Sequence, residues 1–388
     1  MTDTQRAPHD YPRRVLLAVA GLSPQIVTET LYALAVRGAP RFIPTEVHLI
    51  TTTEGAERAK LSLLSADPGW FERLRADYGL PSIAFDHDNI HVVTDAAGAP
   101  LADIRTAADN ERVADQVAER IRALTADPDC ALHVSIAGGR KTMGYYAGYA
   151  LSLFGRAQDR LSHVLVSEPY EQSWQFFYPS PASRVIETRD HKLVDTNNAR
   201  VTLAQIPFVR LRHGLPDPLL NGHAGFMQTV DAAQRAQQPP QLIIDLQGKR
   251  LQAAGQIVPM TCANLAFYTV FAHRLLRGQG PARHDTEGFT EHYLDELRHI
   301  SGEHAGNVAN AEETYAQGMD DEQFQVRKSR TNGALREALG PQLAAAYLID
   351  DDGGERPFTR YRLNLPVDAV GFGSADLAPV PAQVGGAN

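Results

Sequence analysis

Residues 132–154, LHVSIAGGRKTMGYYAGYALSLF, constrain the fold more than any other stretch of the chain. An apolar run from Leu132 to Ile136 breaks at Gly138-Gly139, presents Arg140 and Lys141, and passes into a small-residue and aromatic pattern of helical spacing. Strand, glycine turn, cation pair and helix start together build an anion site. The glycines permit a tight turn with exposed amides. The first helical turn aims free N–H groups past the strand end, and the two cations add charge at the same spot. The spacing is not that of a P-loop, because G-x-x-x-x-G-K-[ST] is absent, nor that of a G-x-G-x-x-G dinucleotide loop.

A chain of 388 residues is long enough for two or three domains. Its net charge of −9 argues against a generic nucleic-acid binder, so any nucleotide site must concentrate positive charge locally. The two cysteines, Cys130 and Cys262, lie far apart, which argues against a disulfide framework or a zinc site and for a reducing cytoplasm. No metal or cofactor is expected. The opening MTDTQRAPHDYPRR has no apolar core after its charges, so it is not expected to be a signal peptide. No apolar run approaches the roughly 18 residues of a membrane span.

Residues 15–20, VLLAVA, read as a strand buried on both faces. The turn Gly21-Leu22-Ser23-Pro24-Gln25 follows, then the helical pattern IVTETLYALAVRG, with Gly38 where a C-terminal cap falls. Ser23 and Gln25 either cap that helix or face the same crevice as the glycine loop. Further strands are expected at 47–53, in IAFDHDNIHVV, at 132–137 and at 160–168. Helices are expected in EGAERAKLSLLS, from Trp70 to Tyr78, in ADNERVADQVAERIRALT and over 141–155. This alternation predicts a doubly wound, mostly parallel α/β domain with the loops after its first and fourth strands at one edge. Asp103, Arg105 and Asn110 read by themselves as capping and surface pairing. Residues 169–215 read as a β-rich extension, whose PYEQSWQFFYPSP aromatics either stack on bases or pack internally. A helix is expected over 216–238, ending in AQQPPQ.

The C-terminal part differs in character. LIIDLQGKRLQAAGQIVPM reads as a hairpin, TCANLAFYTVFAHRLLRG as an amphipathic helix, 289–300 as a further helix and RKSRTNGALREAL as a basic helix. AAAYLIDDDGGERPFTRYRLNLP then reads as strand, turn and strand. The pattern predicts a winged helix-turn-helix over 241–372. Arg327, Lys328, Arg330 and Arg336 would lie on its recognition helix, and Arg356, Arg360 and Arg362 on its wing. The other reading is a solvated face on a packing or dimerisation domain. Expected boundaries are a disordered 1–13, an α/β domain over 14–215, a helical linker over 216–240 and a disordered tail over 373–388.

VLLAVAGLSPQIVTETLYAL, DIRTAADN and HVSIAGGRKTMGYYAGYALSLFGRAQDRLSHVLV resemble the CARF (CRISPR-associated Rossmann fold) domain, and more narrowly the type III CRISPR-associated ring nucleases of the NE series. AGGRKTMG is the most specific block. The resemblance implies a homodimer that binds a cyclic oligoadenylate across its two-fold axis and cleaves it without metal. By position it implies that Gly21, Leu22, Ser23, Pro24 and Gln25 form a first ligand loop, and Ala137, Gly138, Gly139, Arg140, Lys141, Thr142 and Met143 a second. Asp103, Arg105 and Asn110 fall in the family's DIRT-x-x-x-N segment. Lys141, Arg140 and Ser23 are the expected catalytic residues.

Three functions follow as expectations. The first is a cytoplasmic ring nuclease that opens cyclic tetra-adenylate to products with a 2′,3′-cyclic phosphate and so ends an antiviral signal. The second is a ligand-gated regulator whose winged helix binds DNA. The third is a nucleotide-activated ribonuclease, for which the nearest R-x-x-x-x-H pattern is Arg298 and His304, one residue too far apart.

Overall fold

The computed structural model describes residues 6–171, 173–212, 215, 217–222, 224–235, 238–354 and 359–373. It divides into two units, Met1–Arg212 with Pro218–Val230, and His213–Asp217 with Asp231–Asn388.

The first unit alternates as its apolar runs require. β1 (Arg13–Val19) leads to α1 (Gln25–Tyr32), β2 (Glu46–Thr51) to α2 (Thr53–Ala59) and α3 (Trp70–Asp77), and β3 (Ile90–Val92) to α4 (Ala107–Ala126). Next come β4 (Cys130–Ser135), α5 (Lys141–Phe154), β5 (Arg160–Val166), the small hairpin β6 (Val185–Glu187) and β7 (Leu193–Asp195), and β8 (Val201–Gln205). The sheet runs β3-β2-β1-β4-β5-β8. The first five strands are parallel, and β8 closes the edge antiparallel to β5. This is a Rossmann-like order. The chain leaves β1 in one direction, returns past it, and continues from β4 in the other.

Val15 to Ala20 are wholly buried, as a strand covered by helices on both faces must be. Right-handed crossovers put α1, α2 and α3 on one face and α4 and α5 on the other. Accordingly α1 packs on α3 and across β1, β5 and β8, while α4 packs on α5 and β4. The sheet's amino edge is tied by Asp159, which has no exposed surface. Its carboxylate accepts from Leu132 N at 3.0 Å and from Arg156 N, Nε and Nη2 at 2.7, 3.0 and 3.0 Å.

Several elements differ from expectation. The IAFDHDNIHVV strand shrinks to Ile90–Val92, because Asp86 caps a short turn at His87–Asn89 in its middle. Gly38 ends the first helix without a positive φ; a Cβ there would press on the Leu34 carbonyl. The helix over 216–238 is two, α6 (Asp217–Asn221) and α7 (Phe226–Arg235). The break between them is held open: Arg122 donates to the carbonyls of Gly222 and Ala224, and Asp115 accepts from Phe226 N at 2.7 Å.

The second unit carries β9 (Leu242–Asp245), β10 (Arg250–Ala253), β11 (Gln256–Val258), α8 (Cys262–Leu276), α9 (Phe289–Ser301), α10 (Gly306–Thr314), α11 (Asp321–Leu339), α12 (Pro341–Ala344), β12 (Ile349–Asp351), β13 (Tyr361–Leu363) and β14 (Val370–Phe372). The expected two-stranded hairpin is a three-stranded meander, joined by β14 parallel to β9. The two expected strands pair antiparallel as β12 and β13, and residues 355–358 between them lie outside the described residues. Phe267, Phe271, Phe289 and Phe324 cluster in its core, with centroids 5.2–6.3 Å apart.

The basic helix begins at Asp321, where Asp320 and Gln323 make a capping box. Phe324, Thr331, Leu335 and Leu339 are its buried stripe, and Arg327 falls on that stripe. Arg327 therefore turns inward, donating to Asn264 Oδ1 at 3.1 Å and the Tyr315 hydroxyl at 3.5 Å. Lys328 sets its ammonium 3.4 Å from the Tyr361 ring centroid. Arg330, Arg336, Arg360 and Arg362 are exposed, with Arg360 beside Thr286 and Asp285. The expected set of recognition-helix cations thus does not share one outward face. Arg356, residues 1–5 and the tail over 374–388 lie outside the described residues.

Candidate functional site

Two loops leave the carboxyl ends of the adjacent strands β1 and β4, where the strand order reverses and open α/β sheets hold ligands. They touch backbone to backbone. Gly139 has φ +85°, a conformation glycine adopts freely. A Cβ on Gly21 would stand 3.3 Å from Gly139 Cα, and one on Gly138 would stand 3.3 Å from the Val19 carbonyl oxygen. Side chains are excluded here because the loops fill the space with main chain.

A third element locks the first loop. Gly55, in the first turn of α2, faces Thr51 Oγ1 and the Gly21 carbonyl so closely that a Cβ would overlap both. Thr51 Oγ1 also lies 3.4 Å from that carbonyl. Gly55→Ala must therefore displace Gly21. It is expected to cost about 1–3 kcal/mol of stability, the usual range for overpacking, and to weaken ligand binding, read as a lower urea midpoint and a raised Kd in one preparation.

α5 starts at Lys141, with Arg140 in the N-cap position and no side-chain cap. Met143 N turns back to the Arg140 carbonyl at 2.9 Å, and the Lys141 and Thr142 amides are left for a ligand or water. Lys141 and Thr142 are exposed, as are Leu22 and Ser23 across the gap. Among the described residues Lys141 has no hydrogen-bond or ion-pair partner. Arg140 is held differently. Its Nε donates to Asp103 Oδ1 at 3.0 Å and its Nη2 to Asp103 Oδ2, so the pair is bidentate across the crevice. The Arg140 side chain keeps 56% of its surface open, and Nη1 and one Nη2 hydrogen remain unused. The guanidinium holds the Asp103 carboxyl below the usual carboxylate range, helped by the Ile104 amide and by Arg105, whose Nε lies 3.7 Å away.

The remaining expected site residues divide between loop and support. Gly21, Ala137 and Gly138 are half-buried in the loops. Pro24 and Met143 are buried, Met143 beneath Gly139. Gln25 is buried and donates through Nε2 to the Trp174 carbonyl at 3.3 Å, leaving Oε1 buried without a partner. Asn110 braces α4 against α5 by donating to the Tyr146 hydroxyl. Arg105 is exposed and precedes Thr106, which caps α4. Asp103 is thus the partner that orients Arg140, and Asn110 a brace between α4 and α5. One turn below Gln25, burial pushes the Glu29 carboxyl up to about 8, with Glu171 adding like charge. Spacing did not mark this buried acid; Trp174 belongs to the aromatic segment expected either to stack on bases or to pack internally.

Two other clusters carry titratable groups. A groove of about 1020 Å³ is lined by His91, Arg112, Asp115, Gln116 and Arg120. His48 Nε2 meets Glu46 at 2.9 Å, His91 Nε2 meets His48 Nδ1 at 2.8 Å, and Arg120 meets His91 Nδ1 at 3.0 Å. Arg120 can only donate, so this chain holds both imidazoles neutral; burial pushes the His91 pKa down to about 4. Its polar groups satisfy one another. In the second unit Arg298 gives Nε and Nη2 to Glu312 and Nη1 to Asp295, and His304 is exposed.

Fold and loops together define a Rossmann-like α/β protein whose sheet carries a glycine-rich loop pair with Arg140 and Lys141 at its switch point. The chain belongs to the CRISPR-associated protein NE0113 family, whose model matches residues 23–239, more than half of its length. A search of curated proteins gives no match. Among solved structures the chain is similar to Enterococcus italicus Csm6 bound to cyclic hexa-2′-fluoro-hexa-dAMP, at 10% identity and a TM-score of 0.25. That alignment takes in 84% of this chain and 60% of the other, so the chain spans less than two thirds of that protein's length. So loose a likeness says nothing about the site's chemistry. No helix among the described residues is long and apolar enough to cross a membrane.

Proposed function

We propose that this protein is a CARF protein of type III CRISPR systems that binds a cyclic oligoadenylate, cyclic tetra-adenylate in the first instance, and opens its ring. The observation that carries the reading is the paired loops: open amides at the start of α5, an exposed unpartnered Lys141, and an Arg140 pre-oriented by Asp103. Membership of a CRISPR-associated family supports the ligand class. In this reading two copies of the chain face each other, and each supplies one set of loops to a ring whose symmetry matches a two-fold axis.

The ribose 2′-hydroxyl lies next to its own 3′-phosphate, so the nucleophile comes with the substrate. The 2′ oxygen bonds to phosphorus, the bond from phosphorus to the 5′ oxygen breaks, the 2′ proton leaves and the 5′ oxygen gains one. The product is a linear strand with a 2′,3′-cyclic phosphate at one end and a 5′-hydroxyl at the other. The protein's part is to hold the hydroxyl in line and to stabilise charge on the pentacovalent phosphorus. Lys141 takes the electrostatic role, Arg140 anchors a phosphate through its free N–H groups, and Ser23 orients the ribose from the facing loop.

Incubation with cyclic tri-, tetra- and hexa-adenylate, followed by mass spectrometry, tests the reading. The expected result is retention of one ring at micromolar protein and linear products carrying a 2′,3′-cyclic phosphate. Retention of none of the three overturns it.

A further inference from the structure

The two tryptophans sit in opposite environments. Trp70 is half-buried, stacked on Phe177 at 5.1 Å, with Arg184 4.2 Å and Arg73 5.0 Å from its ring centroid. Trp174 is 62% exposed, although tryptophan is among the more buried residues on average. The Arg58 guanidinium lies over its ring, 5.3 Å from the centroid.

This exposed ring is anchored to the site. The Trp174 carbonyl accepts from Gln25, the first residue of α1 and the last of the β1 loop. Its turn is braced by Ser173 N to the Tyr170 carbonyl at 3.0 Å and Phe176 N to the Ser173 carbonyl at 3.3 Å. Phe176 and Phe177, beside it in sequence, are buried. Arg58 comes from α2, one turn after the Gly55 that locks the Gly21 carbonyl, and is steadied by Glu54 Oε1 at 3.0 Å. Tryptophan and arginine thus stand together beside the first ligand loop, each tied to it through a different element. Arg140 and Lys141 stand at the head of α5, after the Gly139 that packs on the same loop. Leu22, in that loop, is also exposed.

We propose that Trp174 and Arg58 form a stacking platform that takes one purine base of the bound ring, opposite the phosphate loops. The platform rests on the cyclic-oligoadenylate reading and assigns it a base subsite. A flat aromatic face held by a rigid turn binds a base at small entropic cost, and an arginine beside it adds cation–π attraction. A site that recognised phosphate alone would have no use for an open indole at this place. The platform also supplies what the loops lack, a means of favouring large purine faces over pyrimidines.

The experiment titrates cyclic tetra-adenylate into the full chain and follows tryptophan emission and Kd together. The difference in emission between wild type and Trp174→Phe belongs to Trp174, and it is expected to be quenched in step with binding. Trp174→Ala is expected to raise Kd about tenfold or more, the scale of one lost base stack. Trp174→Phe, which keeps a ring face, is expected to stay within about threefold of the wild type. Because the indole is exposed, neither change should unfold the unit. An unchanged Kd in Trp174→Ala overturns the platform whatever the emission does, and so does a loss in Trp174→Phe as large as alanine's. Both results leave ring binding itself standing. A wild type that retains no cyclic tri-, tetra- or hexa-adenylate removes the ring reading, and the platform with it.

Discussion

On the ring-opening reading, Lys141→Ala is expected to lower the single-turnover rate by roughly 10²-fold or more, if the ammonium is worth as much as one preorganised oxyanion donor. The reasoning starts from its place. Lys141 is exposed at the first position of α5 and has no partner among the described residues, so its charge is not spent on holding the fold. The charge that grows on the non-bridging oxygens in the transition state is larger than in the ground state. A group that acts there changes the chemical step more than the affinity. The mutant should therefore still retain the ring, with Kd raised by much less than the rate falls, and its circular dichroism should match the wild type. Equal losses in rate and affinity would instead make Lys141 a simple binding cation. An unchanged rate would remove it from the mechanism. Arg140→Ala should show the opposite balance, because a guanidinium oriented in advance by Asp103 acts on bound and reacting phosphate alike.

The second large effect is on stability, at the other end of the sheet. Asp159→Ala is expected to cost about 3–5 kcal/mol, as when one partner of a buried ion pair is removed. Its carboxylate has no exposed surface and receives Leu132 N and Arg156 through four hydrogen bonds. Without it Arg156, whose side chain is 13% exposed, loses its counter-charge, and a strand amide is left unmet. Other Arg156 donors would remain on the carbonyls of Cys130 and Asp127. The check is the denaturant midpoint of the mutant, with Asp159→Asn as the milder comparison. The loops lie at the opposite, carboxyl ends of β1 and β4, so whatever fraction stays folded should bind ring with wild-type affinity. A shift below about 1 kcal/mol would mean that water reaches and satisfies Arg156.

Much of the α/β unit was legible because strand and helix runs alternate with little interruption, and because Gly138-Gly139-Arg140-Lys141 combines turn, charge and helix start in four positions. What was not legible depends on partners distant in the chain. Nothing local says that Asp103 will clasp Arg140 across 37 residues. Nor does anything near Gly55 say that the main chain of another loop occupies its Cβ position. The break between α6 and α7 is imposed by Arg122 and Asp115 from α4. Arg327 is the case where a signal was present. It lies three residues after Phe324 and four before Thr331, the spacing of a buried stripe, and composition alone had marked it as an outward cation.

The clasp between Asp103 and Arg140 has a consequence for what the crevice admits. On the proposed reading, the carboxylate stays on the guanidinium while a phosphate takes the N–H groups left open, so part of the cation's charge is already cancelled. A lone monoanionic phosphodiester is then held weakly, whereas a closed polyanion that engages several cations at once adds many weak contacts. Once such a ring is cut and its pieces separate, each fragment keeps only a few of those contacts and is expected to leave, making room for the next intact circle.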